Sequence, residues 1–228
     1  MATITENLQD VRGRISQACL RAGRPKDAVA LLAVTKTFPA QAVRDAHAAG
    51  QQAFGENYVQ EAIDKIQALA DLRPRLQWHL IGPLQSNKTR VVAEHFDWVQ
   101  SVDRLKIAQR LSEQRPPDLP PLNVCIQVNS SGEDSKSGVT PGEALGLARE
   151  VSVLPHLRLR GVMALPAPSA DAAEQSRAFR EIRDLFNELQ ASGLPVDTLS
   201  MGMSGDLEAA ILEGSTMVRV GTALFGHR

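Results

Sequence analysis

The chain has 228 residues and a formal net charge of −1, with 25 basic and 26 acidic side chains. This balance offers no positive field for nucleic acid or an anionic membrane, and no apolar run approaches the ~18 residues of a membrane helix, so we expect neither partner. The first residues lack the basic and apolar regions of a signal peptide, and the two cysteines, Cys19 and Cys125, lie far apart, which predicts a cytoplasmic protein with reduced thiols.

The chain starts with one helical pattern and then alternates between short apolar runs and further helical patterns. Residues 3–23 carry apolar side chains three and four positions apart, and Gly23 and Pro25 end the pattern. Eight strands are predicted at 28–35, 53–55, 76–81, 97–102, 122–128, 157–164, 196–200 and 217–221. Helices are predicted after most of them, at 39–49, 58–72, 88–95, 104–114, 141–154, 170–192 and 206–213.

Regular alternation of strands and helices indicates a parallel sheet, and eight such units predict an α/β fold of the (β/α)8 barrel type. An open, doubly wound sheet is the alternative, but no G-x-G-x-x-G follows the first strand. The segment 113–121, "EQRPPDLPP", is too short to join two domains. The sequence therefore predicts one domain over residues 1–228, with an extra N-terminal helix (1–25) packed on the barrel.

Polar or reactive side chains follow nearly every predicted strand, where the chemistry of such barrels gathers. They are Lys36, Glu56, Asn57, His79, Ser101, Asp103, Asn129, Met163, Ser200 and Arg219. Several have a purely structural interpretation: His79 as a core histidine, Asn57 and Asp103 as helix caps, and 130–138 as a solvated loop or a lid.

Lys36 follows an apolar run that must lie inside the sheet, and lysine is rarely buried unless it is paired. We expect it at the inner lip of the barrel, where the loss of hydration favours a neutral amine. A neutral amine attacks aldehydes and forms a Schiff base. The alternative is a lysine whose ammonium group reaches solvent at the rim.

The segments after the last two predicted strands indicate a phosphate site. Ser200 and Ser204 directly precede a helical pattern, and Gly221 and Thr222 follow the eighth strand. Backbone N–H groups at a helix start suit a phosphate, and the loops after strands seven and eight form the recurring phosphate site of these barrels. A simple helix cap is the alternative for Ser204. The sequence thus predicts an aldehyde-reactive amine and a phosphate cradle at one barrel mouth.

Seven motifs make the sequence similar to a known family. They are "LLAVTKTFP", "FGENYVQEA", "WHLIGPLQSNK", "SGEDSKSG", "GVMALP", "SMGMSGDLEAAI" and "VRVGTALFG". Together they resemble the pyridoxal phosphate homeostasis protein family from about residue 31 to 226. That family resembles the barrel domain of bacterial alanine racemase and of eukaryotic-type ornithine decarboxylase, without their second, β-rich domain.

The resemblance implies that Lys36 holds pyridoxal 5′-phosphate (PLP) as an internal aldimine, and that Arg219 faces the pyridine nitrogen. Seven further positions match the family's cofactor pocket, four in its phosphate-binding segments and three near the ring: Ser200, Ser204, Gly221 and Thr222, then Asn57, His79 and Met163. Lys136 matches a secondary or exit contact for the cofactor. No metal is implied.

The resemblance leaves open whether the protein is a catalyst or a carrier. Two-base racemisation needs an acid–base group on the face opposite the lysine, and racemases take a tyrosine for it from the second domain and the other subunit. The single tyrosine here, Tyr58, lies at a predicted helix start. An arginine at the ring nitrogen disfavours ring protonation and weakens the electron sink, although racemases share that arginine.

We therefore expect a non-catalytic, monomeric PLP-binding protein that stores, buffers or delivers the cofactor, with apo-forms of PLP-dependent enzymes as recipients. A PLP-dependent amino-acid racemase with weak or one-base activity is the alternative. A third interpretation is a barrel that binds a phosphorylated sugar without a covalent cofactor, which leaves Lys36 unexplained.

Overall fold

The computed structural model describes residues 3–130, 137–167, 169 and 171–226. The strands are β1 (Ala30–Val34), β2 (Ala53–Glu56), β3 (Gln77–Leu80), β4 (Trp98–Val102), β5 (Leu122–Val128), β6 (Leu157–Ala164), β7 (Thr198–Ser200) and β8 (Met217–Val220). The helices are α1 (Ile4–Arg21), α2 (Ala40–Ala48), α3 (Val59–Ala68), α4 (Thr89–His95), α5 (Leu105–Gln114), α6 (Pro141–Ser152), α7 (Ala172–Ala191), α8 (Leu207–Leu212) and α9 (Thr222–Phe225).

The eight strands pair in parallel in chain order, and β8 pairs with β1 to close the barrel. The closing register places Leu32 opposite Arg219. The predicted (β/α)8 barrel is thereby confirmed. Because all strands run in the same direction, their carboxyl ends meet at one mouth, which brings together loops far apart in sequence.

The predicted strands all occur, and their observed ends differ from the expected ones by at most two residues. Three short elements were not predicted: 3-10 turns at Ala70–Arg75 and Ser86–Lys88, and α9. Each is at most six residues long, which is too short for a helical periodicity to show. The four-residue α9 matters because it begins at Thr222, within the predicted phosphate site.

Helix α1 packs against the end of the chain. Its apolar stripe is buried in the main core: Leu8, Val11, Ile15, Ala18 and Cys19. A capping box between Thr3 and Glu6 begins the helix. Polar contacts complete the packing, since the Asn7 side-chain amide donates to the Leu224 carbonyl (2.9 Å) and the Arg14 guanidinium pairs with one Glu208 carboxylate oxygen at 2.7 Å.

Both cysteines are buried, free thiols. Burial raises the pKa of Cys125 to about 12, so this side chain stays protonated and packs with Trp98 and Met163 inside the barrel. Among the helices in the described part of the chain, none combines the length and the apolar character that crossing a membrane requires.

Candidate functional site

A cavity of about 370 Å³ opens at the carboxyl ends of the strands. Its lining comes from the ends of β1 and β8 and from the segments that follow β1, β2, β3, β6, β7 and β8: Val34, Lys36, Asn57, Ile81, Leu165, Met203, Ser204, Gly205, Arg219, Gly221 and Thr222. Six of the nine predicted cofactor-binding residues therefore line one cavity: Lys36, Asn57, Ser204, Arg219, Gly221 and Thr222.

Lys36 lines this cavity but is exposed, so the expected burial at the inner lip is wrong. The reason is that β1 already ends at Val34, and the last buried residue of this segment is Thr35, so Lys36 lies beyond the buried part of the strand. At Thr37 the backbone has a φ of 67°, which turns the chain away from the strand direction. The amine is therefore accessible both to the cavity and to solvent.

Arg219 lies on β8 and is only 3% exposed. Its guanidinium donates to the Ser200 hydroxyl (2.7 Å) and to the Ala164 carbonyl (2.8 Å). Burial lowers its pKa to about 10, so the side chain keeps its charge at neutral pH. No carboxylate forms a salt bridge with Arg219 in the parts of the chain that the structure describes. A buried cation without such a partner suits a ligand that accepts a hydrogen bond.

Three predicted pocket residues lie in the barrel interior and do not line the cavity: His79, Met163 and Ser200. The Ser200 hydroxyl accepts from Arg219 and donates to the Gln100 carbonyl oxygen at 2.6 Å. The Gln100 amide nitrogen lies 3.0 Å from His79 Nδ1. A line of hydrogen bonds thus runs from Arg219 into the barrel.

His79 ends this line and is 1% exposed. Burial, helped by the positive charge of Arg160, lowers its pKa to about 3, so the ring is neutral at physiological pH. The ring stacks on Trp98, with centroids 4.9 Å apart and planes 11° apart. Because the Gln100 amide donates to Nδ1, we assign the proton to Nε2, which has no hydrogen-bond partner among the described residues.

The two predicted phosphate segments face each other at the mouth. The Ala223 N–H donates to the Ser204 hydroxyl at 3.4 Å, which joins the loop after β7 to the start of α9. A Cβ added at Gly205 would meet no protein atom within 4 Å, so the space beside this backbone is open. Asp206 is the N-cap residue of α8, so the alternative of a helix cap at Ser204 is wrong.

The cap interpretations of Asn57 and Asp103 are also wrong, since Tyr58 and Arg104 are the N-cap residues of α3 and α5 and neither helix has a side-chain cap. The Asn57 side-chain oxygen is buried and has no partner in the described part of the chain. It therefore remains free to accept a hydrogen bond at the cavity wall.

Other residues around the site were missed by sequence reasoning. Gln100 is buried within β4, and the only feature of the sequence that could have indicated its role is an amide side chain inside an apolar run. Lys65 on α3 is buried beside the loop that carries Lys36, with no signal beyond an i,i+4 pair with Glu61. The predicted secondary contact, Lys136, lies outside the described residues.

Comparison with known proteins places this geometry in a family. The alanine racemase N-terminal domain family matches residues 3–228. A pyridoxal phosphate homeostasis protein of Pseudomonas aeruginosa is 63% identical over 228 residues, which cover 100% of this chain and 97% of the relative.

Two solved structures extend the comparison. PipY of Synechococcus elongatus, in its structure with PLP bound, has a TM-score of 0.80 and 42% identity, over 93% of this chain and 99% of PipY. An alanine racemase of Clostridium difficile has a TM-score of 0.77 and 16% identity, over 97% of this chain and 57% of the racemase chain. At that identity, the racemase shows the fold alone. The chain therefore belongs to the alanine racemase N-terminal domain family and, within it, to the pyridoxal phosphate homeostasis proteins.

Proposed function

We propose that this protein binds PLP at the barrel mouth as a Schiff base on Lys36, and that it stores, buffers or delivers the cofactor. The observation that carries the proposal is that Lys36, Arg219 and both phosphate segments line the same cavity. The P. aeruginosa relative is named a pyridoxal phosphate homeostasis protein, and the structure of PipY has been solved with PLP bound.

The residues present fit the chemical groups of PLP. An exposed primary amine is available for the aldehyde, and a buried guanidinium without a described carboxylate partner is available for the ring nitrogen. Open backbone at Gly205 and the hydroxyls of Ser204 and Thr222 are available for the phosphate. When bound, PLP supplies an aldehyde that condenses with amines and an electron-withdrawing ring.

Each residue has a distinct part in holding the cofactor. The Lys36 amine would hold PLP through a C=N bond to the aldehyde carbon, formed with loss of water. Arg219 stays protonated and can only donate, so it favours an unprotonated ring nitrogen. The line of hydrogen bonds through Ser200 and Gln100 holds the guanidinium in place.

A carrier is favoured over a catalyst by what lines the cavity. Among its described lining residues, only Lys36 and Arg219 carry titratable groups. Racemisation through two bases needs a second acid–base group opposite the lysine. The one tyrosine of the sequence, Tyr58, is 58% exposed and is not a lining residue in the described structure. We further propose a cytoplasmic monomer that passes PLP to apo-forms of PLP-dependent enzymes.

The test is to add PLP to the purified protein, record absorbance, reduce with borohydride and map the adduct by mass spectrometry. We expect a band near ~420 nm that disappears on reduction, and an adduct on Lys36. Lys36→Met should abolish both. Lys106→Met is the matched control, since Lys106 is an exposed lysine on α5, away from the cavity lining.

The other interpretations make different predictions in the same preparation. A racemase would interconvert amino-acid enantiomers at ~1 per second or faster, which would refute the carrier function. A barrel for phosphorylated sugars would form no adduct, or adducts scattered over surface lysines. Size-exclusion chromatography with light scattering tests the monomer.

A further inference from the structure

A buried cluster of charges lies directly behind the loop that carries Lys36. The Lys65 ammonium on α3 contacts the Thr35 carbonyl (2.6 Å), one Glu56 carboxylate oxygen (2.7 Å) and one Glu61 carboxylate oxygen (2.7 Å). Only 5% of the Lys65 side chain is exposed. The full donor capacity of a buried ammonium is thus directed at one loop and two carboxylates.

The cluster holds the backbone on both sides of Lys36. On one side, Lys65 donates to the carbonyl of Thr35. On the other side, the Thr37 N–H donates to the same Glu61 oxygen that contacts Lys65. The two peptide groups that flank Lys36 are therefore tied to one helix.

Thr37 needs such a restraint because of its conformation. Its φ of 67° lies in the left-handed region, which is unfavourable for a β-branched residue. A strained residue of this kind persists only where surrounding contacts hold it. The hydrogen bond from Thr37 to Glu61 is such a contact, and it lies next to the residue whose direction matters.

Glu56 anchors the cluster to the barrel. It is fully buried at the end of β2, and its carboxylate also accepts a hydrogen bond from the Thr35 hydroxyl at 2.6 Å. Burial raises the pKa of this carboxyl, and the Lys65 ammonium opposes the shift. Buried ion pairs add little net stability compared with apolar residues of similar size, so a specific geometric role is a better explanation of this one.

We propose that Lys65 and Glu61 are positioning residues that fix the direction in which the Lys36 side chain leaves the barrel, so that its amine meets the PLP aldehyde. This inference rests on the proposed function and deepens it. Neither residue lines the cavity among its described walls, so both act through the backbone of Lys36.

The experiment separates the positioning of Lys36 from the binding of PLP. Stopped-flow absorbance near ~420 nm measures Schiff-base formation, and calorimetric titration with pyridoxine 5′-phosphate, which has no aldehyde, measures binding without it. Glu61→Ala and Lys65→Met are expected to slow Schiff-base formation roughly 10- to 100-fold, as small misplacements of reacting groups do. Affinity for pyridoxine 5′-phosphate should stay within about twofold of the wild type, because its contacts lie on other loops.

Two further variants sharpen the comparison. Glu61→Gln keeps an acceptor for the Thr37 N–H and should restore most of the rate. Gln60→Ala is the matched control, since Gln60 is exposed on the same helix and bonds only to Asp64 among the described residues. If Lys65→Met does not fold, Glu61→Ala carries the test, because 29% of the Glu61 side chain is exposed.

Wild-type rates in Glu61→Ala and in a folded Lys65→Met would overturn the inference. An equal fall in rate and in affinity for pyridoxine 5′-phosphate would also overturn it, since that pattern indicates a general structural role. A wild-type protein that forms no Schiff base on Lys36 would refute the proposed function itself, and the inference with it.

Discussion

Replacing His79 by glutamine should remove a large part of the acid sensitivity of this protein. Burial holds the pKa of His79 at about 3, below its ordinary value of 6.5. Between these two values the unfolded chain binds a proton that the folded protein does not, so stability is lost as the pH falls below 6.5. Each pH unit costs about 1.4 kcal/mol, which amounts to about 2 kcal/mol at about pH 5.

The assay is urea unfolding of both proteins at about pH 7.5 and about pH 5, followed by circular dichroism. Wild-type protein should lose about 2 kcal/mol more between the two conditions than His79→Gln does. Comparing pH dependence within each protein cancels the fixed cost of the substitution. His156→Asn, which removes an exposed histidine and tolerates its φ of 61°, is the control. Equal losses in wild-type protein and His79→Gln would refute the reasoning.

Three further predictions concern other parts of the structure. Glu208→Gln should lower the free energy of unfolding by about 0.5–1 kcal/mol. Because the hydrogen bond from Arg14 lowers the pKa of Glu208, this difference between wild type and variant should persist above pH 4.5 and disappear as the pH falls below it. Urea unfolding at several pH values measures the difference, and a difference that does not change with pH would contradict the prediction. Gly82→Ala places a Cβ 2.1 Å from the Asn57 carbonyl oxygen, so thermal unfolding should show a loss of stability of about 1–3 kcal/mol, and titration with PLP should show a weaker affinity. Wild-type stability and wild-type affinity in this variant would exclude the clash. Gln100→Leu leaves buried polar partners unsatisfied, so urea unfolding should show a free energy of unfolding lower by about 1–3 kcal/mol. A nearly unchanged free energy of unfolding would mean that the line of hydrogen bonds is unimportant for stability.

The elements of the barrel could be predicted from local patterns alone. All eight strands and the longer helices were expected close to where they occur, because apolar periodicity and Gly or Pro stops act within a few residues. The short α9 escaped prediction, since four residues carry no periodicity. The strand count and strict alternation then indicated the closed barrel.

The site could be predicted only in part. Parallel strands place their carboxyl ends together, so the residues after each strand had to lie near one mouth. How deep each side chain lies within the barrel could not be predicted from the sequence, because that depth depends on the tilt of the strands and on the register between strands far apart in sequence. Hence Ser200 and His79, at strand positions that looked equivalent to Arg219, lie in the interior and do not line the cavity.

The sequence by itself determined the barrel, the mouth at which its polar residues gather, and the lysine and phosphate segments suited to PLP. Only the tertiary structure decided which of these residues share the cavity and what holds them. Lys65 shows the difference most clearly. In sequence it is a lysine paired with Glu61 on an amphipathic helix, yet the packing of α3 against β2 brings its ammonium to the carbonyl of Thr35, which follows β1 and lies 30 positions away. No local pattern encodes that contact, because it depends on the pairing of β1 with β2 and on the packing of α3 beside them.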